Sequence, residues 1–258
     1  MILKKHPYLI AAFFILLLVS NIQAQKSRPL NLIQYDHNPY NFGFTLGLNQ
    51  MIFTINHMTL YNDSVYSGTA INDITPADSA SLQSVESNSN FGFTIGIVSN
   101  LRLGQYFDLR FIPSLSFGER DLTYTAATTF YTAHDTVLIR KPLQSTFVEF
   151  PFYIKYKSKR MNNTRAYLIG GAKYSLDLIS DARRKEKAGG AEIVKLHRND
   201  LYLDLGAGFD FYNEYFKLGV EIKMSYGLNN LIKKEGTIYT EGIDRLRSKI
   251  FTLSLTFE

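Results

Sequence analysis

The residues of this chain that could carry chemistry are few and scattered. Histidine occurs at positions His6, His37, His57, His134 and His197, and no pair has the spacing with which a helix or hairpin presents ligands to zinc. Nucleophilic catalysis needs a nucleophile, a base and an orienting acid. His57 with Asp63 and Ser64, and His134 with Asp135, supply those residue types in polar stretches. Such sets arise by chance wherever Ser, Asp and His are common, because a triad is defined by geometry rather than by spacing. Gly189-Gly190 and the twice-occurring GFTxG do not lie between a strand and a helix, as a phosphate-cradling loop must. The sequence therefore predicts a non-enzymatic protein with no catalytic, cofactor-binding or metal-binding residues.

A second set of charged residues has a pattern. Asp108, Arg110, Glu149, Lys155, Lys173, Asp177, Asp204, Asp210, Lys217, Glu221 and Lys223 lie in stretches where polar or small residues alternate with Phe, Leu, Ile, Val and Tyr. Successive side chains of a strand point to opposite faces, so these stretches read as β-strands with one greasy face. The motif FGFTLGL at 42–48, repeated as FGFTIGI at 91–97, is the strongest case. In a helix each of its two glycines would cost about 1 kcal/mol relative to alanine.

Eight strands follow, at about 40–55, 91–103, 106–124, 146–157, 165–178, 200–212, 215–228 and from about 248 to the end. Their connections run long, short, long, short, long, short, long. The long ones are 56–90, 125–145, 179–199 and 229–247, the first with a possible helical turn at Thr75-Pro76-Ala77-Asp78. An even number of strands with short turns at one end and long loops at the other is the plan of an eight-stranded antiparallel transmembrane β-barrel in an outer membrane, with periplasmic termini. Eight strands leave room only for side chains, so the charged residues named above are expected to fill the interior as an ion-paired plug. A soluble eight-stranded barrel shares the alternation, with its greasy face inward. Strand length and the position of the aromatics favour lipid. Tyr40, Phe42, Tyr106, Phe107, Tyr156, Tyr167, Tyr212, Tyr215, Phe216 and Phe257 fall at the periplasmic strand ends and are expected to form an interfacial girdle. Pro113 and Pro151 fall inside strands, where each should impose a bulge or a lost ladder bond. The basic stretch at 157–160 reads as a solvated turn.

Residues 1–24 have the charged, apolar and small-residue regions of a signal peptide, with Lys4 and Lys5 before a Leu9–Val19 core. The apolar run is shorter than the roughly 20 residues that span a bilayer as a helix. Residues 25–39 read as a loosely ordered periplasmic lead, and 40–258 as the barrel. Removing Lys4 and Lys5 lowers the net charge from +5 to +3, which is no nucleic-acid signature. Cysteine is absent, so the exported fold relies on hydrogen bonding and packing.

FGFTLGLNQM in the first strand, preceded by Tyr35-Asp36 and Pro39-Tyr40, and VEFPFYIKYK in the fourth resemble the PorT family of Bacteroidetes outer-membrane barrels. The likeness extends over the order and size of the mature chain. It implies a component of the type IX protein secretion system that acts through other secretion proteins and the surrounding lipid, without a small-molecule substrate. The family offers no catalytic residues to carry over. Loop 56–90 and the lead are the expected contact regions, since loops on a rigid scaffold carry function. A small porin-like or adhesion barrel is the alternative.

Overall fold

The structure is a computed structural model that describes residues 29–58, 65–67, 78–130, 133–179, 194–234 and 238–258. The signal-peptide stretch, the possible turn at 75–77, Asp63, Ser64 and the basic run at 183–187 lie outside the described residues. Asn31–Glu258 form one compact unit. In it β1 (Tyr40–His57), β2 (Val65–Ser67), β3 (Ser79–Ser89), β4 (Phe91–Arg102), β5 (Phe107–Phe111), β6 (Ser114–Phe130), β7 (Ala133–Lys157), β8 (Thr164–Asp177), β9 (Asn199–Tyr212), β10 (Lys217–Gly227) and β11 (Ile243–Phe257) form a single antiparallel sheet. A short helix, α1 (Ile238–Glu241), precedes β11.

The sheet closes on itself because β1 pairs with both β11 and β4. The two copies of the repeated motif face each other in that seam, with Phe44 opposite Ile97, Leu46 opposite Ile95 and Leu48 opposite Phe93. Each motif glycine sits where two strands approach closely. A Cβ on Gly43 would lie 2.0 Å from the Phe257 carbonyl oxygen, and one on Gly92 2.0 Å from that of Phe117.

Pairing also fixes the dimensions. Starting at Phe42 and stepping through Ser99, Phe111, Phe152, Ala172, Leu203, Tyr226 and Lys249, the path returns to β1 at Ile52, ten residues further on. Eight strand positions with that stagger require a tilt of about 42° and a backbone radius of about 8 Å. Opposite side chains then meet at the axis. The polar phase of each strand points there, so the interior must be satisfied by side chains.

The apolar phase points out. Leu48, Ile97, Ile154, Leu205, Ile222 and Leu253, from six strands around the ring, are all exposed. A continuous belt of this kind is far larger than the apolar patches a soluble protein presents. On β1 it runs from Tyr40 to Leu48 and ends at Gln50, and the ten residue steps from Tyr40 to Gln50 span about 25 Å at this tilt, the height of an outer-membrane apolar band. The soluble barrel is thereby excluded on geometry. Among the described residues no helix is long and apolar enough to cross a membrane.

The structure corrects several sequence expectations. Loop 56–90 contains β2 and β3, and β3 prolongs β4 along β6, with a register irregularity between Leu82 and Ser84. The 125–145 connection is mostly strand, since β6 runs to Phe130 and β7 begins at Ala133. In both places a sparse apolar phase (Ala80, Leu82, Val85; Leu122, Tyr124, Ala126, Leu143) is buried on one side, hidden in the sequence by Ser, Thr and Asn on the other. In the fourth connection, β11 already starts at Ile243. At the prolines the lost ladder bond that was expected is found, without a bulge: Ser99 faces Phe111 and Gly96 faces Ser114, the same frame on either side of Pro113. Each proline removes one ladder bond. Pro113 accepts from Ile97 N (3.0 Å) and Pro151 from Ile112 N (3.4 Å), and neither can donate in return. The two gaps fall on neighbouring residues, which divides β5 from β6.

Candidate functional site

The charged phase converges on the barrel axis. Asp108, Arg110, Glu149, Lys155, Lys173, Asp177, Asp204, Asp210, Lys217 and Glu221 are buried, and Lys223 is half-buried. They pair in tiers. Nearest the rim where β11 ends, Arg110 meets Glu258 at 2.5 Å and Glu221 at 3.4 Å, while Lys217 also binds Glu258. Lys155 donates to both oxygens of Asp210 at 2.7 and 3.0 Å and lies 3.6 Å from the Tyr167 ring centroid. Glu221 takes Lys223 at 2.7 Å and the Tyr167 hydroxyl at 2.9 Å. Further along the axis Lys173 donates to Glu149 at 2.9 Å, and Tyr153 donates to Asp204. The space left around this tier is a cavity of about 30 Å³, room for a water or two.

Beyond these ion pairs Arg120 fills the axis. Its guanidinium donates to Ser248 (2.9 Å) and Ser145 (2.8 Å) and lies 4.1 Å from the Phe53 ring. Above it an apolar core joins Leu82, Val85, Leu122, Leu143, Leu196, Ile232, Ile238 and Leu246. The extensions of β3, β6 and β7 and helix α1 thus cap the barrel with a hydrophobic cluster of their own. Tyr124 donates its hydroxyl to the Tyr239 carbonyl at 3.1 Å, tying β6 to α1.

The opposite rim is closed by the lead. Its described part is ordered, contrary to expectation. Leu32 takes a left-handed conformation (φ 51°) and starts a 3-10 turn at Ile33–Asp36. Tyr35 donates to Glu258 at 2.6 Å and accepts from Lys217 at 2.7 Å. Burial and the adjoining Glu258 carboxylate push the Tyr35 hydroxyl far above its ordinary range, so it remains a donor. Asp36 takes Arg165 at 3.0 Å and Arg160 at 3.2 Å. Asn31 donates to Asn163 at 2.9 Å and to the Tyr212 carbonyl at 3.1 Å.

Two girdle residues are therefore misassigned by sequence. Tyr167 and Tyr212 are buried in the interior, at 3% and 2% exposure, where their rings receive Lys155 and Arg160 respectively. Tyr40, Phe42, Tyr106, Phe107, Tyr156, Tyr215 and Phe216 are exposed at the strand ends, and Phe257 is half-buried against Phe44 and Phe216. The basic turn also differs from expectation: Lys157 is buried and pairs with Asp108 at 2.5 Å, and Arg160 holds the lead. Tyr35, Asp36, Arg120, Arg165 and Glu258 belong to the interior system although sequence reading missed them. Arg120 and Arg165 do continue the inward phase of their strands.

Of the histidine sets, His57 and Asp135 are exposed. Among the described residues no group of acids and histidines could hold a metal.

The profile described as "Outer membrane protein beta-barrel domain" matches residues 23–233. Neisserial surface protein A has a similar structure, with 12% identity over 85% of this chain and 98% of that one, at a TM-score of 0.39. So has OprG from Pseudomonas aeruginosa, an outer-membrane protein, with 10% identity over 83% and 93% and a TM-score of 0.37. No curated protein matches the sequence.

Proposed function

The chain belongs to the outer membrane protein β-barrel domain family, and we propose that it serves there as a non-enzymatic component of the type IX protein secretion machinery. The carrying observation is the filled interior. A barrel whose axis holds Arg110, Lys155, Lys173 and Arg120 in contact with acids, hydroxyls and rings, capped by an apolar core and closed by its own lead, offers no conduit for cargo. Its work is then done by contacts at the rims. The resemblance of FGFTLGLNQM and VEFPFYIKYK to the PorT family supports assigning those contacts to secretion.

The test is to delete the gene in its host and compare exported and periplasm-retained proteins by mass spectrometry. Cargo with C-terminal sorting domains should accumulate inside and be exported again on complementation. An unchanged set of exported proteins would remove the secretion role. One observation favours the adhesion alternative: β6 and β7 pair out to Phe130 and Ala133, well beyond the belt, and present an external blade. A deletion strain that secretes normally but loses surface attachment would support that reading instead.

A further inference from the structure

The outward face of β11 changes character abruptly. Leu255, Leu253 and Phe251 are exposed apolar residues of the belt. The next outward positions are Lys249, Arg247 and Arg245, three cations in successive outward places of one strand. Lys249 lies opposite Ile52 of β1 and Tyr226 of β10, and Gln50, at the end of the β1 belt, lies opposite Phe251. The cations therefore begin where the belt ends, at the end bearing the long loops, which is the outer-leaflet side.

Their surroundings leave them available. Among the described residues, neither Lys249 nor Arg247 has an acidic partner. Arg247 donates one Nη1 hydrogen bond to the Tyr226 hydroxyl at 3.2 Å, while its Nε is out of solvent with no acceptor. Lys249 sits 5.3 Å from the Phe251 ring, its charge turned to the edge of the belt. Arg245 meets Asp244 at 3.7 Å, but both side chains are more than half exposed, so that pair is readily exchanged for a better anion. Thr54 and Asn56, opposite Arg247 and Arg245 on β1, add neutral polar groups to the same surface.

We propose that Arg245, Arg247 and Lys249 form a binding site for the phosphorylated headgroup of an outer-leaflet lipid, whose acyl chains lie on Phe251, Leu253 and Leu255. The phosphate oxygens take the outward guanidinium and ammonium donors. The same molecule continues down the apolar residues beneath. A soluble anion would use the cations without the belt. A lipid uses both, and this continuity selects the lipid.

Native mass spectrometry of the full barrel in neutral detergent tests this, with diphosphoryl lipid A and its dephosphorylated form as probes. The wild-type protein should retain the diphosphorylated form preferentially. Removing two cations near an anionic lipid surface, as in Arg247→Gln/Lys249→Gln, should weaken retention about thirtyfold. Lys159→Gln/Lys234→Gln, which removes the same charge elsewhere, should leave it unchanged, and Arg247→Lys should weaken it less than Arg247→Gln. Heat-modifiable gel migration establishes that each variant is folded. Equal retention of the two lipid forms, or equal loss in the two double variants, would overturn the site. So would full competition by millimolar inorganic pyrophosphate, which would reduce it to a general anion patch.

Discussion

Replacing Lys155 by methionine isolates one buried ion pair. The lysine ammonium sits between both Asp210 oxygens and the Tyr167 ring, and neither charged side chain has more than 1% exposure. Methionine keeps most of the aliphatic stem, so packing changes little. Among the described residues Asp210 then keeps an ion pair with Lys217, 4.0 Å away. Stranding one member of a buried pair costs about 3–5 kcal/mol, and the remaining lysine puts the expectation near the lower end, at about 3 kcal/mol. That corresponds to a shift of roughly a hundredfold in the folding equilibrium. Urea titration of the protein refolded into vesicles, followed by protease protection and gel migration, reads this directly. Asp210→Asn alone should cost a similar amount. The double variant should cost clearly less than the two losses added, because the two groups answer each other. Additive losses, or single-variant effects below about 1 kcal/mol as for a surface pair, would refute the tiered plug.

Other consequences can be checked with the same protein. Tyr35→Phe removes a hydroxyl that joins Glu258 and Lys217, and a charge-assisted bond of this type contributes about 1.5–3 kcal/mol. Amide exchange in residues 31–39 should accelerate by about tenfold or more while the barrel strands stay protected. Gly43→Ala and Gly92→Ala place a methyl against a neighbouring carbonyl oxygen. Both should sharply lower the yield of refolded barrel, whereas Gly104→Ala, with open space around it, should not. Arg160→Gln removes a cation from Asp36 and from the Tyr212 ring. It should expose the lead to proteolysis without changing the urea midpoint of the barrel by more than a small fraction.

The barrel was legible in the sequence because the alternation is clean where it matters. In 200–212 every outward residue is Leu, Ala or Phe and every inward one Tyr, Asp or Gly, so phase, face and boundaries agree with β9. The extensions beyond the belt were not legible, since strands there face water on one side. Thr and Ser on that face masked Ala80, Leu82 and Val85 on the other. Tyr167 and Tyr212 illustrate a different limit. Tyrosine suits both an interface and a buried hydroxyl near charge, and only the phase of β8 and β9 places these two inside. Pairing within the plug was beyond sequence reading as well. Which acid takes which base depends on the stagger around the ring, a property of eight pairings taken together. The docked lead was missed because Tyr35 and Asp36 acquire meaning only from Glu258, Lys217, Arg160 and Arg165, residues over a hundred positions away.

On the proposed function this barrel is sealed and acts at its rims. The most direct measurement is single-channel recording of the purified, refolded protein in planar bilayers at high salt and over a wide voltage range. A filled axis is expected to give no resolved conductance steps, for the full chain and equally for Tyr35→Phe, because the ion-paired tiers and the apolar cap remain when the lead is loosened. Regular, voltage-stable steps from the wild-type protein would rule out a sealed axis and return the chain to the porin-like barrels.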